Sequence, residues 1–239
     1  IYIETPSNPL LLVTDIAATA QIAKDNNALS VIDNTFATPI NQNPLDLGID
    51  IVTHSGTKYL GGHSDLCCGA VLTRRDLAEK IAATAANLGG SMNAMTCYLL
   101  ERSLKTLGVR VDKHNRNAQI IADHLQKDKR IRKVFYPGLE SHPGHALARK
   151  QMRGFGGMLA FELDGPAPEQ FLKRLKMITP ALSLGGVETI ICSPATTSHQ
   201  KISAAERAEL GMSDATLRLS VGIEDPDDII ADIDRALSG

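Results

Sequence analysis

The sequence predicts an α/β protein whose first half builds a parallel sheet flanked by helices and whose second half adds a smaller α/β layer. Three observations carry this expectation. Short apolar strands at residues 1–3, 28–32 and 50–53 each run into a polar or glycine-rich loop. Between the first two, Ile16, Thr19, Ala20 and Ala23 recur on one helical face, giving the β–α–β alternation of a parallel sheet. After one long helical tract, shorter strands and helices alternate to the end of the chain. At 239 residues and 43% hydrophobic content, there is enough apolar material for one large or two small cores.

Taken in order, residues 1–3 form a strand. Glu4-Thr-Pro-Ser-Asn-Pro follows as a loop, because two prolines disfavour helical geometry around them. Residues 15–26 are an amphipathic helix with Thr14 or Asp15 as its cap, and the strand at 28–32 ends at Asp33. Residues 50–53 lead into Ser55-Gly-Thr-Lys58, residues 69–73 make the next strand, and 76–88 the next helix. From Ala94 to Gln126 the helical pattern exceeds the usual length, so two helices, or one kinked at Gly108, are expected. A domain boundary is placed there, dividing the chain into 1–108 and 109–239. Beyond it, strands are expected at 131–136, 157–163, near 181–184 and at 216–221. Helices are expected at 145–152, 168–175, 204–210 and 227–237, with a reversal near Gly185-Gly186.

Charge and composition exclude several classes of function. Lys+Arg 25 against Asp+Glu 27 leaves a net charge of −2, which argues against a nucleic-acid-binding surface or a polybasic membrane patch. No apolar run approaches the roughly 20 residues of a membrane span. Cys67, Cys68, Cys97 and Cys192 form no C-x-x-C pair and read as reduced thiols of a cytoplasmic protein. His54, His63 and Asp65 are separated by a Gly-Gly and lack a second cluster, so they do not make a metal-site pattern.

Chemistry concentrates at Ser55-Gly-Thr-Lys-Tyr-Leu-Gly-Gly-His-Ser-Asp, which places one lysine among small hydroxyl residues and glycines directly after a strand. A lysine that loses its proton near neutral pH can attack a carbonyl, and among cofactors the principal such carbonyl is that of pyridoxal 5'-phosphate (PLP). Ser55 and Thr57, two residues apart, can both face one phosphate if the segment is extended. A Walker A loop is excluded, since Lys58 follows Thr57 rather than a glycine. A solvated turn remains equally compatible with these residues alone. Asp33 shifts the balance, because a carboxylate at a strand end one βα step before the lysine can pair with a pyridinium nitrogen. Arg218 stands inside the apolar run Leu217-Arg-Leu-Ser-Val, where a charge is ordinarily an edge residue pointing to solvent. The alternative is a fork for a substrate carboxylate.

Four ordered stretches, Glu4-Thr-Pro-Ser-Asn-Pro, Asp33-Asn-Thr-Phe-Ala-Thr-Pro, the Ser55–Asp65 stretch and Leu217-Arg-Leu-Ser-Val-Gly-Ile-Glu-Asp, together resemble the signatures of the Cys/Met-metabolism PLP-dependent enzymes. That family includes the cystathionine γ-synthases, the cystathionine lyases and the methionine γ-lyases. The resemblance implies the aspartate aminotransferase-like PLP-dependent transferase fold (fold type I). Residues 1–108 would be the C-terminal part of the PLP-binding large domain and 109–239 the small domain. It implies that an N-terminal part of the same enzyme completes the site, and that the enzyme is a homotetramer, a dimer of dimers with shared active sites. It also assigns roles. Lys58 carries the cofactor as an aldimine and moves the Cα proton, Asp33 pairs with the pyridinium, and Thr35 supports it. Ser55 and Thr57 hold the phosphate, and Asn8 lies near the ring oxygen. Arg218 and Ser183 hold the carboxylate of a small amino-acid substrate, with Leu182 beside its distal end.

The expected activity is carbon–sulfur bond cleavage of the methionine/cystathionine γ-lyase type, by α,γ-elimination. The alternative is a cystathionine γ-synthase or another γ-replacement enzyme using O-acylhomoserine. A metal-free lysine aldolase would need neither Asp33 nor a phosphate cup, and an inert assembly fragment would bind no cofactor. Most family members have proline where Ala94 stands, a departure that concerns helix entry.

Overall fold

A computed structural model describes residues 1–198 and 200–238, and it places the chain in two sheets joined through one long helix. The first half contains β1 (Tyr2–Glu4), α1 (Ile16–Asp25), β2 (Val31–Asp33), the single turn α2 (Thr38–Asn41), β3 (Ile51–Ser55), β4 (Gly69–Thr73) and α3 (Arg75–Leu88). Strand order is β1-β2-β3-β4. The first three strands are parallel, with Glu4, Asp33 and Thr53 side by side in the register. Their carboxyl ends therefore open on one edge, where ligands of such sheets bind. Asp15 caps α1 by accepting the Ala18 amide at 2.9 Å. On that helix Ile16 and Ala20 pack onto Ile32, Ile49 and Val52.

The parallel expectation fails at β4, which runs antiparallel to β3 from Ile51↔Thr73 to Ser55↔Gly69. The physical reason is the connection. Residues 56–68 are spent on the lysine turn and the Gly-Gly loop, and no helix crosses the sheet to return the chain in the parallel sense.

The long helical tract resolves as two helices, α4 (Ala94–Leu104) and α5 (Leu107–Leu125). The break lies at Lys105-Thr106, and Gly108 is inside α5. Asn93 caps α4 through the Thr96 amide, so entry into that helix needs no proline at Ala94. The remainder is β5 (Ile131–Phe135), α6 (His145–Gln151), β6 (Met158–Leu163), α7 (Pro168–Arg174), β7 (Thr179–Pro180), β8 (Ile190–Cys192), α8 (Ala204–Glu209), β9 (Thr216–Ser220) and α9 (Pro226–Ser238). The second sheet has the order β5-β6-β9-β8-β7 and is antiparallel except for β7 with β8.

Residues 181–184 are not a strand, contrary to expectation, and a short strand forms instead at Ile190–Cys192. After Ala181, whose amide still reaches the Ile191 carbonyl, the chain leaves the sheet edge and runs to the lysine turn. There Gly185, at φ +74°, approaches so closely that a Cβ would lie 2.8 Å from the Tyr59 nitrogen.

Two further clusters hold this arrangement. Leu125, Leu159, Phe161, Leu217, Leu219, Ile229 and Ile233 fill the space between the second sheet and helices α5 and α9. A second cluster brings Tyr59 and Leu60 of the lysine turn against Leu107 and Val111 of α5 and Met158, Ala160 and Leu184. The turn is thus clamped between the two layers through Tyr59 and Leu60, while Thr57 and Lys58 stay partly open. No helix among the described residues is long and apolar enough to cross a membrane.

A buried histidine gives this packing a pH dependence. His114 is fully buried on α5, with Nδ1 2.7 Å from the Val221 carbonyl and its ring edge-on to Tyr59 at 5.3 Å. Burial above all, with the Arg110 charge adding to it and Glu224 opposing, pushes its pKa down to about 4. The unfolded chain would take up that proton near 6.5, so the neutral form stabilises the fold fully above pH 6.5. That contribution is lost as the pH falls toward 4, an effect on the order of 3 kcal/mol. Chemical denaturation between pH 7 and pH 4 should show this loss in the wild type and a flatter profile in His114→Gln. Parallel profiles would refute the assignment.

Candidate active site

Lys58 sits in a one-turn helix, residues 56–60, entered directly from β3. It leaves helical geometry there, at φ −90° and ψ −126°. The turn is closed by Gly61 N–H to the Gly56 carbonyl at 2.8 Å and Gly62 N–H to the Lys58 carbonyl at 2.7 Å. Lys58 Nζ donates to Ser183 Oγ at 3.1 Å across 125 residues of sequence. Burial, and after it the Arg218 charge, hold this amine below the usual lysine range, while Cys67 opposes the shift. A lysine so placed is closer to its neutral, nucleophilic form.

Arg218 lies in the middle of β9 and is 3% exposed, so the reading of an edge charge facing solvent does not describe it. Its Nη1 donates to Asn8 Oδ1 at 3.0 Å. Its Nη2 donates to the carbonyls of Leu182 at 2.8 Å and Ser183 at 3.1 Å. Its buried Nε has no partner, and no acid forms a salt bridge to it among the described residues. A guanidinium with no acid bonded to it among the described residues is a group that a carboxylate can pair with. Asn8 is held in turn by its own amide, which donates to Glu4 Oε1 at 3.1 Å. Burial first, and Asp33 second, push the Glu4 carboxyl above its ordinary pKa.

At the carboxyl ends of β2 and β3 a second chain of contacts forms. Asp33 Oδ1 accepts the Thr35 amide at 2.9 Å, and Thr35 Oγ1 accepts the Ser55 amide at 2.8 Å. Asp33 has no ion-pair partner among the described residues, which leaves its charge available to a cationic ring nitrogen. The structure therefore gathers Lys58, Ser183, Arg218, Asn8 and the Leu182 carbonyl in one hydrogen-bonded group, and Asp33, Thr35 and Ser55 in another. The Leu182 side chain itself is 63% exposed at the rim.

Thr57 departs from the sequence expectation in geometry. The segment is not extended beyond Ser55, because the turn intervenes. The Thr57 hydroxyl accepts the Cys68 amide at 3.0 Å and donates to the Cys68 carbonyl at 3.3 Å. Sequence reasoning also passed over Arg110, whose guanidinium grips the lysine turn. The available signal was a charge directly beside Val111 in the apolar stripe that begins at Leu107.

A family model for Cys/Met metabolism PLP-dependent enzymes matches residues 1–238. The chain belongs to this family. Among the relatives of this Cys/Met-metabolism chain, a cystathionine β-lyase of Lactococcus lactis subsp. cremoris is 49% identical over 239 residues, covering 99% of this chain and 63% of the relative. An L-methionine γ-lyase of Fusobacterium nucleatum subsp. nucleatum is 46% identical over 242 residues, covering 99% and 61%. Among solved structures, a cystathionine γ-lyase from Lactobacillus plantarum complexed with L-serine superposes with a TM-score of 0.96 at 44% identity, over 100% of this chain and 63% of that one. A cystathionine γ-synthase from Xanthomonas oryzae pv. oryzae, in complex with aminoacrylate and cysteine, gives 0.96 at 45% identity, over 99% and 62%. The chain thus spans a little over three-fifths of the length of these relatives. Its fold is that of the PLP-dependent cystathionine enzymes, and the cofactor the family implies is PLP. The residues present fit such a group: an amine depressed in pKa, a strand-end carboxylate with no ion-pair partner among the described residues, and the hydroxyl of Ser55.

Proposed function

We propose that this chain builds the lysine-bearing part of a PLP-dependent carbon–sulfur lyase of the methionine/cystathionine γ-lyase type. The observation that carries the reading is the contact of Lys58 Nζ with Ser183 Oγ, while Arg218 holds the carbonyl of that same serine. The amine and the guanidinium therefore address one small space.

In this reading Lys58 would hold the cofactor and Asp33 would face its ring nitrogen, backed by Thr35. Ser55 and Thr57 would meet its phosphate, with Asn8 near its ring oxygen. PLP supplies an electron sink for the electrons of a broken Cα–H bond. Arg218, through its guanidinium fork, would bind the substrate carboxylate, with Ser183 completing the grip. With the substrate amine taking its place on the cofactor, the freed Lys58 would take the α proton as a neutral amine and deliver it onward as the sulfur substituent departs.

Residues 1–108 would belong to the cofactor-binding domain and 109–239 to the small domain. A homotetramer built as a dimer of dimers is part of the same reading, as is a cytoplasmic location. It is supported by the exposed apolar side chains Leu88, Met95, Tyr98 and Val109 on helices α3 to α5, a surface that association would cover.

The γ-lyase assignment against a γ-synthase rests on Leu182, an apolar residue at the rim that offers no ionic partner to a distal ammonium. Such contacts are worth about 1–3 kcal/mol of discrimination. The test compares 2-oxobutanoate release from methionine and cystathionine, pyruvate release from cystathionine, and cystathionine formation from an O-acylhomoserine and cysteine. The highest kcat/KM is expected for 2-oxobutanoate release. A synthase reaction ranking first would overturn the proposal. Leu182→Glu is expected to shift preference from methionine toward cystathionine by roughly 5- to 150-fold on the same energy scale, and an unchanged ranking would remove this residue from the argument.

A further inference from the structure

We propose that Arg110 is a positioning residue for Lys58, acting through the main chain of the lysine turn without touching substrate or cofactor. The inference rests on the assignment of Lys58 above.

Arg110 is buried on α5, one helical turn before His114, and no acid pairs with it among the described residues. A buried cation without a counter-ion is costly, and burial is what lowers its pKa. A residue serving only to fill this space would be aliphatic. The guanidinium instead spends its donors on carbonyls: Nη1 to Tyr59 O at 2.7 Å, and Nη2 to Leu60 O at 3.4 Å and Ser103 O at 2.9 Å. Its Nε is anchored on Thr106 Oγ1 at 3.1 Å. Tyr59 and Leu60 are the two residues after Lys58. The turn's own bonds use the carbonyls of Gly56 and Lys58, so without Arg110 the next two would be buried and unsatisfied.

The chain makes room for this contact. At Gly62, where φ is +72°, a Cβ would overlap the Arg110 guanidinium. The same glycine's carbonyl accepts the Val187 amide at 2.9 Å, which ties the turn to the segment that carries Ser183. Further along the same face of α5, His114 holds the Val221 carbonyl and Asn117 Nδ2 holds those of Gly222 at 3.0 Å and Glu224 at 2.8 Å. These lie just beyond the strand of Arg218. One helix face thus grips the amine from one side and the carboxylate fork from the other, and Arg110 is its hold on the amine.

The experiment uses the holoenzyme expressed from its complete gene, comparing wild type with Arg110→Lys and with Gly62→Ala, which displaces the guanidinium from the opposite side. Lysine keeps the charge, but one ammonium cannot span three carbonyls. Both variants should stay folded and accept the borohydride-trapped pyridoxyl label on Lys58. Both should lose about 10- to 100-fold in kcat, the scale of a misplaced catalytic group. KM for the amino acid should stay within about 3-fold, because Arg218 is untouched. Folded variants with kcat within 2-fold of wild type would overturn the proposal. So would kcat and KM worsening together in step with thermal stability, or a failure of both variants to fold. If only Arg110→Lys fails to fold, Gly62→Ala decides. A wild-type label on a lysine other than Lys58 would instead defeat the underlying site assignment, whatever the variants do.

Discussion

Lys58→Ala is expected to abolish both covalent retention of PLP and turnover while the chain stays folded. The turn is held by main-chain bonds at Gly61 and Gly62 and by Arg110 on the Tyr59 and Leu60 carbonyls, none of which needs the lysine side chain. The only hydrogen bond of the amine among the described residues is to Ser183 Oγ, so truncation leaves a hydroxyl that water can reach. The loss of a positioned proton carrier alone is worth about 10²–10⁴-fold, and the loss of the covalent anchor adds to it. Borohydride reduction followed by peptide mass spectrometry gives the decisive readout. A pyridoxyl group found on any other lysine, or turnover within tenfold of wild type, would mean the site is elsewhere.

Asp33→Asn should produce the second-largest effect, because it removes charge and almost nothing else. An asparagine carbonyl can still accept the Thr35 amide that Asp33 Oδ1 now takes at 2.9 Å, and the backbone pairing of β2 with β1 and β3 is unaffected. The carboxylate that would keep the ring nitrogen protonated is gone, however. A loss on the order of 10²–10³-fold in kcat is expected, by analogy with other preorganised electrostatic groups. The cofactor band in the near-visible should persist, since the proposed phosphate contacts, Ser55 and Thr57, are untouched. Near-wild-type turnover in this variant would refute the electron-sink arrangement.

Both residues stand out in the sequence as candidates because strand ends are where a parallel sheet presents side chains to a ligand. Asp33 closes an apolar run and Lys58 follows another through a glycine. The burial of Arg218 was harder to read. Arg218 in Leu217-Arg-Leu-Ser-Val reads as an edge charge until Asn8 and the 182–183 carbonyls are seen around it, and these are 210 and about 35 residues away. Thr57 was misjudged in shape because periodicity cannot report that a chain leaves an extended path after one residue. The direction of β4 escaped for a related reason, since an apolar run carries no sign of which way it pairs. The strand expected at 181–184 failed because that segment's partner is the lysine turn, a contact that no local pattern encodes. Arg110 escaped because a lone charge in a helical stripe ordinarily lies along the rim, and its partners are main-chain oxygens with no sequence signature.

The segment from Leu182 to Gly185 is held almost wholly by its backbone. Arg218 takes two of its carbonyls, and Ser220, two residues along β9 and on the same side of the strand, accepts the Gly185 amide at 2.8 Å. The side chain at 182 points away from these tethers into the open rim. A change of residue there would alter what a passing molecule meets and leave these backbone tethers intact. Such a layout separates the part of the machine that can be retuned by a single codon from the part that cannot.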